Sequence, residues 1–270
     1  MTETPIRSLL ILLTVALVCS VLVSVSAVML RPIQLQNELI QRYRNIVALT
    51  GLVPAGEQLG DEEILAAVNE LDVRVANLNT GRFESDIDPG TVDARAALND
   101  PEASVAIPAG ADAARLGRRA VHEVVYLVWE DERLDRIILP ISGQGMWSTL
   151  YGFLALEGDL NTIAAVTFYE QTETAGLGDQ IQNPNWNARW AGRRLYGSGG
   201  DVRFRIASGV VDDDSPAAAH DVDGLSGATV TGDAVTALVR FWFADEGFGP
   251  LIAHLRNDPP IRSDTGIGAD

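Results

Sequence analysis

Residues 121–169 read VHEVVYLVWEDERLDRIILPISGQGMWSTLYGFLALEGDLNTIAAVTFY. Four runs in this segment are rich in β-branched, aromatic and other apolar residues, which is typical of strands. A charged turn joins the first run to the second, and Glu-Gly-Asp joins the third to the fourth. The predicted strands are 121–130, 134–141, 149–156 and 162–169. Together they predict a mixed or antiparallel sheet.

Helices flank this sheet in the sequence, because apolar residues recur there at helical spacing. The predicted helices are 33–50, 61–71 and 231–245. Residues 84–118 are predicted to be a loop with at most short elements, residues 183–200 to be irregular, and residues 202–206 to be a short strand. We expect Gly51 and Pro54 to end the first helix and Asp61 to be the N-cap of the second. The pattern predicts one α+β domain with flanking helices.

The segment 9–30 contains no charged residue. As a helix it would be roughly 33 Å long at 1.5 Å per residue, enough to cross a hydrocarbon core of roughly 30 Å. The alternative is a cleaved signal peptide, because Val25-Ser26-Ala27 resembles a small-residue cleavage site. The length of the apolar run favours a retained transmembrane helix, and the only cysteine, Cys19, lies inside it.

These elements divide the chain into five parts. They are an N-terminal tail (1–8), a transmembrane helix (9–30), N-terminal helices with an acidic loop (31–118), a core domain (119–257) and a C-terminal tail (258–270).

The composition excludes several classes of protein. The chain has 20 basic and 37 acidic residues, a net charge of -17, and every basic residue is Arg. This acidity argues against nucleic-acid binding, which needs cations to neutralise phosphates. A single cysteine excludes an internal disulfide and a cysteine-based metal cluster.

We predict no metal site, because His122, His220 and His254 are far apart and lack metal-ligand spacing. Residues 224–228, GLSGA, lack the final glycine of a serine-hydrolase elbow.

Residues 223–231, DGLSGATVT, place small residues and hydroxyls immediately before a predicted helix. A helix N-terminus presents free N–H groups and a partial positive charge, so a phosphate fits there. The alternative is an ordinary N-cap, in which Thr229 or Thr231 accepts hydrogen bonds from those amides. Two other glycine-containing segments have simple interpretations: 143–145 predicts a tight turn after a strand, and 173–178 predicts a loop.

Residues 223–229 resemble the flavinylation motif D-x-x-S-G-A-T. Most of the remaining chain resembles the C subunits of the Na⁺-translocating NADH:quinone oxidoreductases, and the acidic loop 84–118 resembles them least. The similar segments are PISGQGMWS at 140–148, YG at 151–152, FYEQTETAGLG at 168–178 and LNTG at 78–81. Two positions depart from the family pattern: Ala175 stands where proline is usual, and Met146 where leucine is common.

The resemblance implies a covalently bound FMN, whose phosphate is esterified to the hydroxyl of Thr229. A separate flavin transferase, using FAD and Mg²⁺, would attach it, and Asp223 and Ser226 would present or order the segment. The other implied cofactor-binding residues are Gly227, Ala228 and Thr231 beside the ester, Gly143, Gly145 and Trp147 on one side of the flavin ring, and Glu173, Thr174, Gly176, Leu177 and Gly178 on another. Residues 119–257 would be the FMN-binding core.

The implied function is electron relay inside a Na⁺-pumping NADH:quinone oxidoreductase, without a complete active site on this chain. Other subunits would bind NADH and quinone. Family members place this domain on the periplasmic side of the inner membrane. The positive-inside rule alone indicates the opposite, because Arg7 precedes the apolar segment whereas Arg31, Arg42 and Arg44 follow it. Two alternatives remain: a flavinylated relay such as the G subunit of the Rnf system, and a membrane-anchored binding domain without flavin.

Overall fold

A long helix, α1 (Pro5–Thr50), begins the chain in the computed structural model, which describes residues 5–53 and 59–262. The predicted helices 9–30 and 33–50 are parts of this one helix, which continues through Pro32. Proline removes one backbone hydrogen bond from a helix but does not always break it. The side chains along 9–30 are exposed, and the helix is long and apolar enough to cross a membrane.

The predicted end of this helix is confirmed at Gly51. Helix α1 ends at Thr50, and Gly51 follows it with φ of +74°, a conformation that favours glycine. Pro54, the other predicted end signal, lies outside the described residues, as do parts of the two predicted tails.

The chain forms two units, one ending at Tyr43 and the other beginning at Arg44. The second unit contains the remaining elements. Its longer helices are α2 (Asp61–Asn69), α5 (Thr229–Trp242) and α6 (Gly249–Asn257), and single turns form α3 (Ala94–Ala97) and α4 (Pro184–Asn187). The strands are β1 (Asp72–Asn77), β2 (Arg82–Glu84), β3 (Ser104–Ala106), β4 (Arg118–Ala120), β5 (His122–Glu130), β6 (Arg133–Gln144), β7 (Thr149–Glu157), β8 (Ile163–Glu170), β9 (Arg205–Ile206) and β10 (Asp221–Val222).

Six of these strands form the main sheet, in the order β2-β1-β5-β6-β7-β8. Every neighbouring pair in it is antiparallel, which confirms the predicted α+β class and selects the antiparallel form of the sheet. The four strands predicted from 121–169 are its centre and one edge. Strands β1 and β2 were not predicted; β1 pairs with β5 over six residues and extends the sheet on the other side.

Several predicted boundaries were wrong, and the predicted helix 231–245 begins two residues earlier, at Thr229, and ends at Trp242. Strand β6 continues past residue 141 to Gln144, so Gly143 and Gln144 pair with β7 and do not form the predicted turn. Helix α2 begins after Gly60, whose N–H donates to the Glu63 carboxylate at 2.8 Å, and Asp61 is the first helical residue rather than the cap. The predicted strand 202–206 shrinks to β9, which pairs in parallel with β10. Residues 84–118 contain only short elements, as expected.

Helix α5 packs across β6 at very close range. A Cβ atom at Gly143 would lie 2.5 Å from the Cβ of Leu238, so only glycine fits beneath the helix at this point. The indole N–H of Trp242 also donates to the carbonyl of Ser142 at 2.6 Å. Val235, Leu238 and other apolar residues of α5 share one core with the strands and with α6. These contacts fix where α5 begins relative to the β6–β7 hairpin.

We expect Gly143→Ala to destabilise the protein by about 1–3 kcal/mol, because the added methyl group overpacks this contact. Thermal unfolding of the full chain in detergent would measure the loss as a lower Tm. Gly110→Ala is the matched control, because a Cβ at Gly110 has nothing within 4 Å. Equal unfolding temperatures for the two variants would contradict the tight contact.

Candidate functional site

Thr229 is the first residue of α5, and its side chain is exposed. The residue before the helix, Ala228, has no side chain that can cap the amides. Within the described residues no side chain caps the start of α5, so neither Thr229 nor Thr231 plays the N-cap role that the sequence left open. The helix therefore presents its first backbone N–H groups next to an exposed hydroxyl.

The chain reaches this helix through a sharp turn. Gly227 has φ of +74°, which again favours glycine, and a Cβ there would also lie 2.9 Å from Leu177 Cδ2. Ser226 beside it is exposed. The turn therefore brings the loop that contains Leu177 next to the start of α5.

Asp223 anchors the beginning of the same segment and is not directed at Thr229. Its carboxylate accepts a hydrogen bond from the Val211 N–H at 2.7 Å and forms an ion pair with Arg189. Its carbonyl accepts a hydrogen bond from the indole of Trp186 at 2.8 Å. These contacts hold the beginning of the segment in place.

Glu173 is the buried carboxylate of the site, 7% exposed. One oxygen accepts a hydrogen bond from the backbone N–H of Trp147 at 3.0 Å, and the other accepts from the hydroxyl of Thr231 at 2.6 Å. It thereby connects the β6–β7 turn, the loop after β8 and the first turn of α5. These three segments are far apart in sequence, and this side chain brings them together.

Two of the glycines singled out in the sequence make room for Glu173. A Cβ at Gly145 would lie 2.6 Å from its Oε1, and a Cβ at Gly178 would lie 2.9 Å from its Cβ and 2.8 Å from the Thr231 hydroxyl. Gly143, in contrast, lies beneath α5 and not beside this carboxylate. Gly176 occupies an exposed turn.

Exposed apolar side chains surround the start of α5. Trp147 is 64% exposed, and its indole N–H donates to the Thr174 hydroxyl at 3.1 Å, so it does not belong to the core. Leu177 is 41% exposed. Met146 and Val230 are also about half exposed, at 49% and 55%, although sequence reasoning did not assign them to the site. Their position next to Trp147 and Thr229 in the chain was the signal that could have identified them.

Two arginines pair with carboxylates of the segment that leads into α5. Arg189 is paired with Asp223, and Arg205 with Asp221. The described part of the chain also has no group of three or more His, Cys, Asp or Glu side chains that could hold a metal ion. The start of α5 thus offers backbone amides and apolar surface, and the positive charges of Arg189 and Arg205 are already paired.

Known proteins match this chain over most of its length. The FMN-binding domain family matches residues 145–244. The C subunit of the Na(+)-translocating NADH-quinone reductase of Pseudomonas aeruginosa is 44% identical over 94% of this chain and 97% of its own length. The equivalent protein of Vibrio alginolyticus is 38% identical over 93% of this chain and 95% of its own length.

This chain belongs to the family of C subunits of Na⁺-translocating NADH-quinone reductases. The crystal structure of NqrC from Shewanella oneidensis is 33% identical to it and superposes with a TM-score of 0.72, over 81% of this chain and 97% of that one. The crystal structure of the C subunit from Parabacteroides distasonis, 23% identical with a TM-score of 0.59, shares the fold. The resemblance read from the sequence is therefore confirmed, and it disfavours the Rnf alternative.

The anchoring of residues 223–228 predicts unequal effects for the two members of the Asp223–Arg189 pair. Asp223→Ala should cost about 1–3 kcal/mol, because it leaves the Val211 N–H without its acceptor. Arg189→Ala should cost only about 0–1 kcal/mol, since it removes one half-exposed member of an ion pair.

Thermal unfolding of the two variants of this NqrC-family protein, side by side, would measure the difference. Equal losses would show that the ion pair, and not the bond to Val211, holds the segment.

Proposed function

We propose that this protein carries FMN as a phosphodiester on Thr229 and uses it to relay electrons within a Na⁺-translocating NADH-quinone reductase. Membership of the family and the FMN-binding domain at 145–244 support the electron-transfer role. The observation that carries the finer proposal is the exposed hydroxyl of Thr229 at the uncapped start of α5. The core 119–257 proposed from the sequence contains that domain.

A phosphate on Thr229 would lie where α5 exposes its unpaired amides. Backbone N–H groups and the positive end of the helix dipole both favour an anion at such a position. The dipole contributes only roughly 0.3–1 kcal/mol at an exposed site, and up to about 2 in partly buried geometries. Since Arg189 and Arg205 are already paired, these attractions are too weak to retain a free anion on a protein of net charge -17. A covalent ester makes retention independent of binding affinity.

The flavin ring requires apolar contacts and a few hydrogen-bonding groups. Met146, Trp147, Leu177 and Val230 supply exposed apolar surface around Thr229, and the Thr174 hydroxyl holds the Trp147 indole in place. When bound, FMN supplies the redox chemistry. The residues of this chain hold it, limit its motion and set its electrostatic surroundings.

A flavin transferase would make the ester after export. Asp223 orders the segment, and Ser226 and Thr229 are both exposed in it, so the acceptor hydroxyl is open to an enzyme. We propose that α1 is a retained single-pass anchor in the inner membrane, with the domain on the periplasmic side where the transferase acts. The small arginine bias across α1 opposes this orientation, and the family resemblance supports it.

Substitution of Thr229 tests the ester. With the transferase present, Thr229→Ala should lose all covalent flavin, whereas Thr229→Ser keeps a hydroxyl and should retain a measurable fraction. Flavin fluorescence of the denatured protein on a gel reports the covalent bond, and mass mapping of residues 206–240 locates an FMN-sized adduct. A Thr229→Ala protein that stays fluorescent would overturn the proposal, and an unlabelled wild-type chain would support the alternative without flavin.

The orientation has its own test. Protease added to intact spheroplasts should digest the domain that follows α1 if it is periplasmic. An internal cytoplasmic protein serves as the control for membrane integrity. Protection of the domain until the membrane is lysed would place it in the cytoplasm, as the arginine bias indicates.

A further inference from the structure

We propose that Glu173 is the positioning residue of the flavin site, and that its buried negative charge lowers the one-electron reduction potential of the flavin. The effect on the reduction potential rests on the proposed function, because it requires a bound flavin. The positioning role of Glu173 concerns contacts within this chain, so it is testable without flavin.

Glu173 occupies a space that the surrounding chain leaves for it and supplies with hydrogen-bond donors. Both carboxylate oxygens accept hydrogen bonds, one from the Trp147 N–H and one from the Thr231 hydroxyl. Gly145 and Gly178 lack side chains where a Cβ would collide with Glu173. Three segments of the chain thus contact the Glu173 side chain or leave space for it.

The segments that Glu173 connects are those that carry the exposed apolar surface. Trp147 belongs to the β6–β7 turn, Leu177 to the loop after β8, and Thr231 to the first turn of α5, two residues after Thr229. Loss of the carboxylate would free the Trp147 amide and leave the Thr231 hydroxyl buried without its acceptor. The relative placement of the ring-binding side chains and the attachment hydroxyl therefore depends on this residue.

No cation in the described part of the chain neutralises the charge of Glu173. Within the described residues Glu173 forms no ion pair. Its negative charge is stabilised by two hydrogen bonds and by the positive end of the nearby helix α5. A buried charge is screened far less than an exposed one. Adding an electron to a flavin held beside Trp147 and Thr229 brings more negative charge towards this carboxylate. The oxidised flavin is therefore favoured.

Three variants of the full chain separate the positioning role from the charge. Glu173→Gln keeps a hydrogen-bonding group at both positions, because the amide oxygen accepts from Trp147 and the amide nitrogen donates to the oxygen of Thr231, but it removes the charge. Glu173→Ala removes both contacts. Asp233→Asn removes one exposed carboxylate of α5, where solvent screens the charge, and is the control for net charge.

The positioning role is tested in flavin-free protein by amide hydrogen exchange at Trp147. Exchange should be at least tenfold faster in Glu173→Ala than in wild type, and the glutamine variant should restore most of the protection. Unchanged exchange in Glu173→Ala, in a protein that still unfolds cooperatively, would overturn this role. This result does not depend on whether Thr229 carries flavin.

The role of the charge is tested by redox titration of flavin-loaded protein. Glu173→Gln should favour one-electron reduction by about tenfold, which corresponds to a potential about 59 mV higher, whereas Asp233→Asn should leave the potential near that of wild type. A Glu173→Gln potential equal to wild type, or a shift matched by the control, would overturn it. If Thr229→Ala keeps its flavin, the ester proposal fails while both Glu173 tests remain valid.

Discussion

The close contact between α5 and β6 is the constraint on which the site depends. Glycine at position 143 lets Leu238 approach the strand, and one turn further along α5 the Trp242–Ser142 hydrogen bond holds the same half of the helix against β6. Because the helix cannot slide or lift without breaking this packing, its first turn is held next to the turn that leads from β6 to β7. The position of Thr229 relative to Trp147 is therefore set by the core of the domain and not by the loops alone.

The electrostatics of the site and the proposed ester are consistent with each other. A site that retains a phosphate by charge alone would carry free arginines around the start of α5. Here the contacting arginines are paired with Asp221 and Asp223, and a further carboxylate, Glu173, is buried close by. Retention by a covalent bond removes the need for strong anion binding. The negative charge of Glu173 can then act on the reduction potential of the flavin without having to be offset for phosphate binding.

The sequence predicted those parts of the fold that depend on local pattern. The runs within 121–169 indicated four strands, because continuous runs of β-branched, aromatic and other apolar residues are typical of buried strands. Strand β1, with the sequence DVRVAN, was missed because it is short and contains Arg74, whose guanidinium bonds to Asp72 at 2.9 Å. The end of β6 was missed because glycine usually signals a turn, whereas Gly143 here accommodates a helix.

The family resemblance named the residues expected in the site, but the contacts that bring them together could not be read from the sequence. The resemblance assigned the glycines at 145 and 178 to the sides of the flavin ring, and in the structure both make room for Glu173. No local signal connects Glu173 with Thr231, since 58 residues separate them and only the folded sheet brings them together. Exposure of Met146 and Val230 is likewise a property of the fold, because apolar residues in a sequence are normally assigned to the core.

The half-exposed thioether of Met146 has a consequence for handling the protein. A flavin is a photosensitiser, and a flavin on Thr229 would share its surface with this sulfur and with the Trp147 indole. Illumination in air would then convert the thioether to a sulfoxide, which is polar and chiral. Part of the apolar surface around the ring would become polar without any change in the amino-acid sequence, so preparations kept in the dark and in the light would differ in their chemistry.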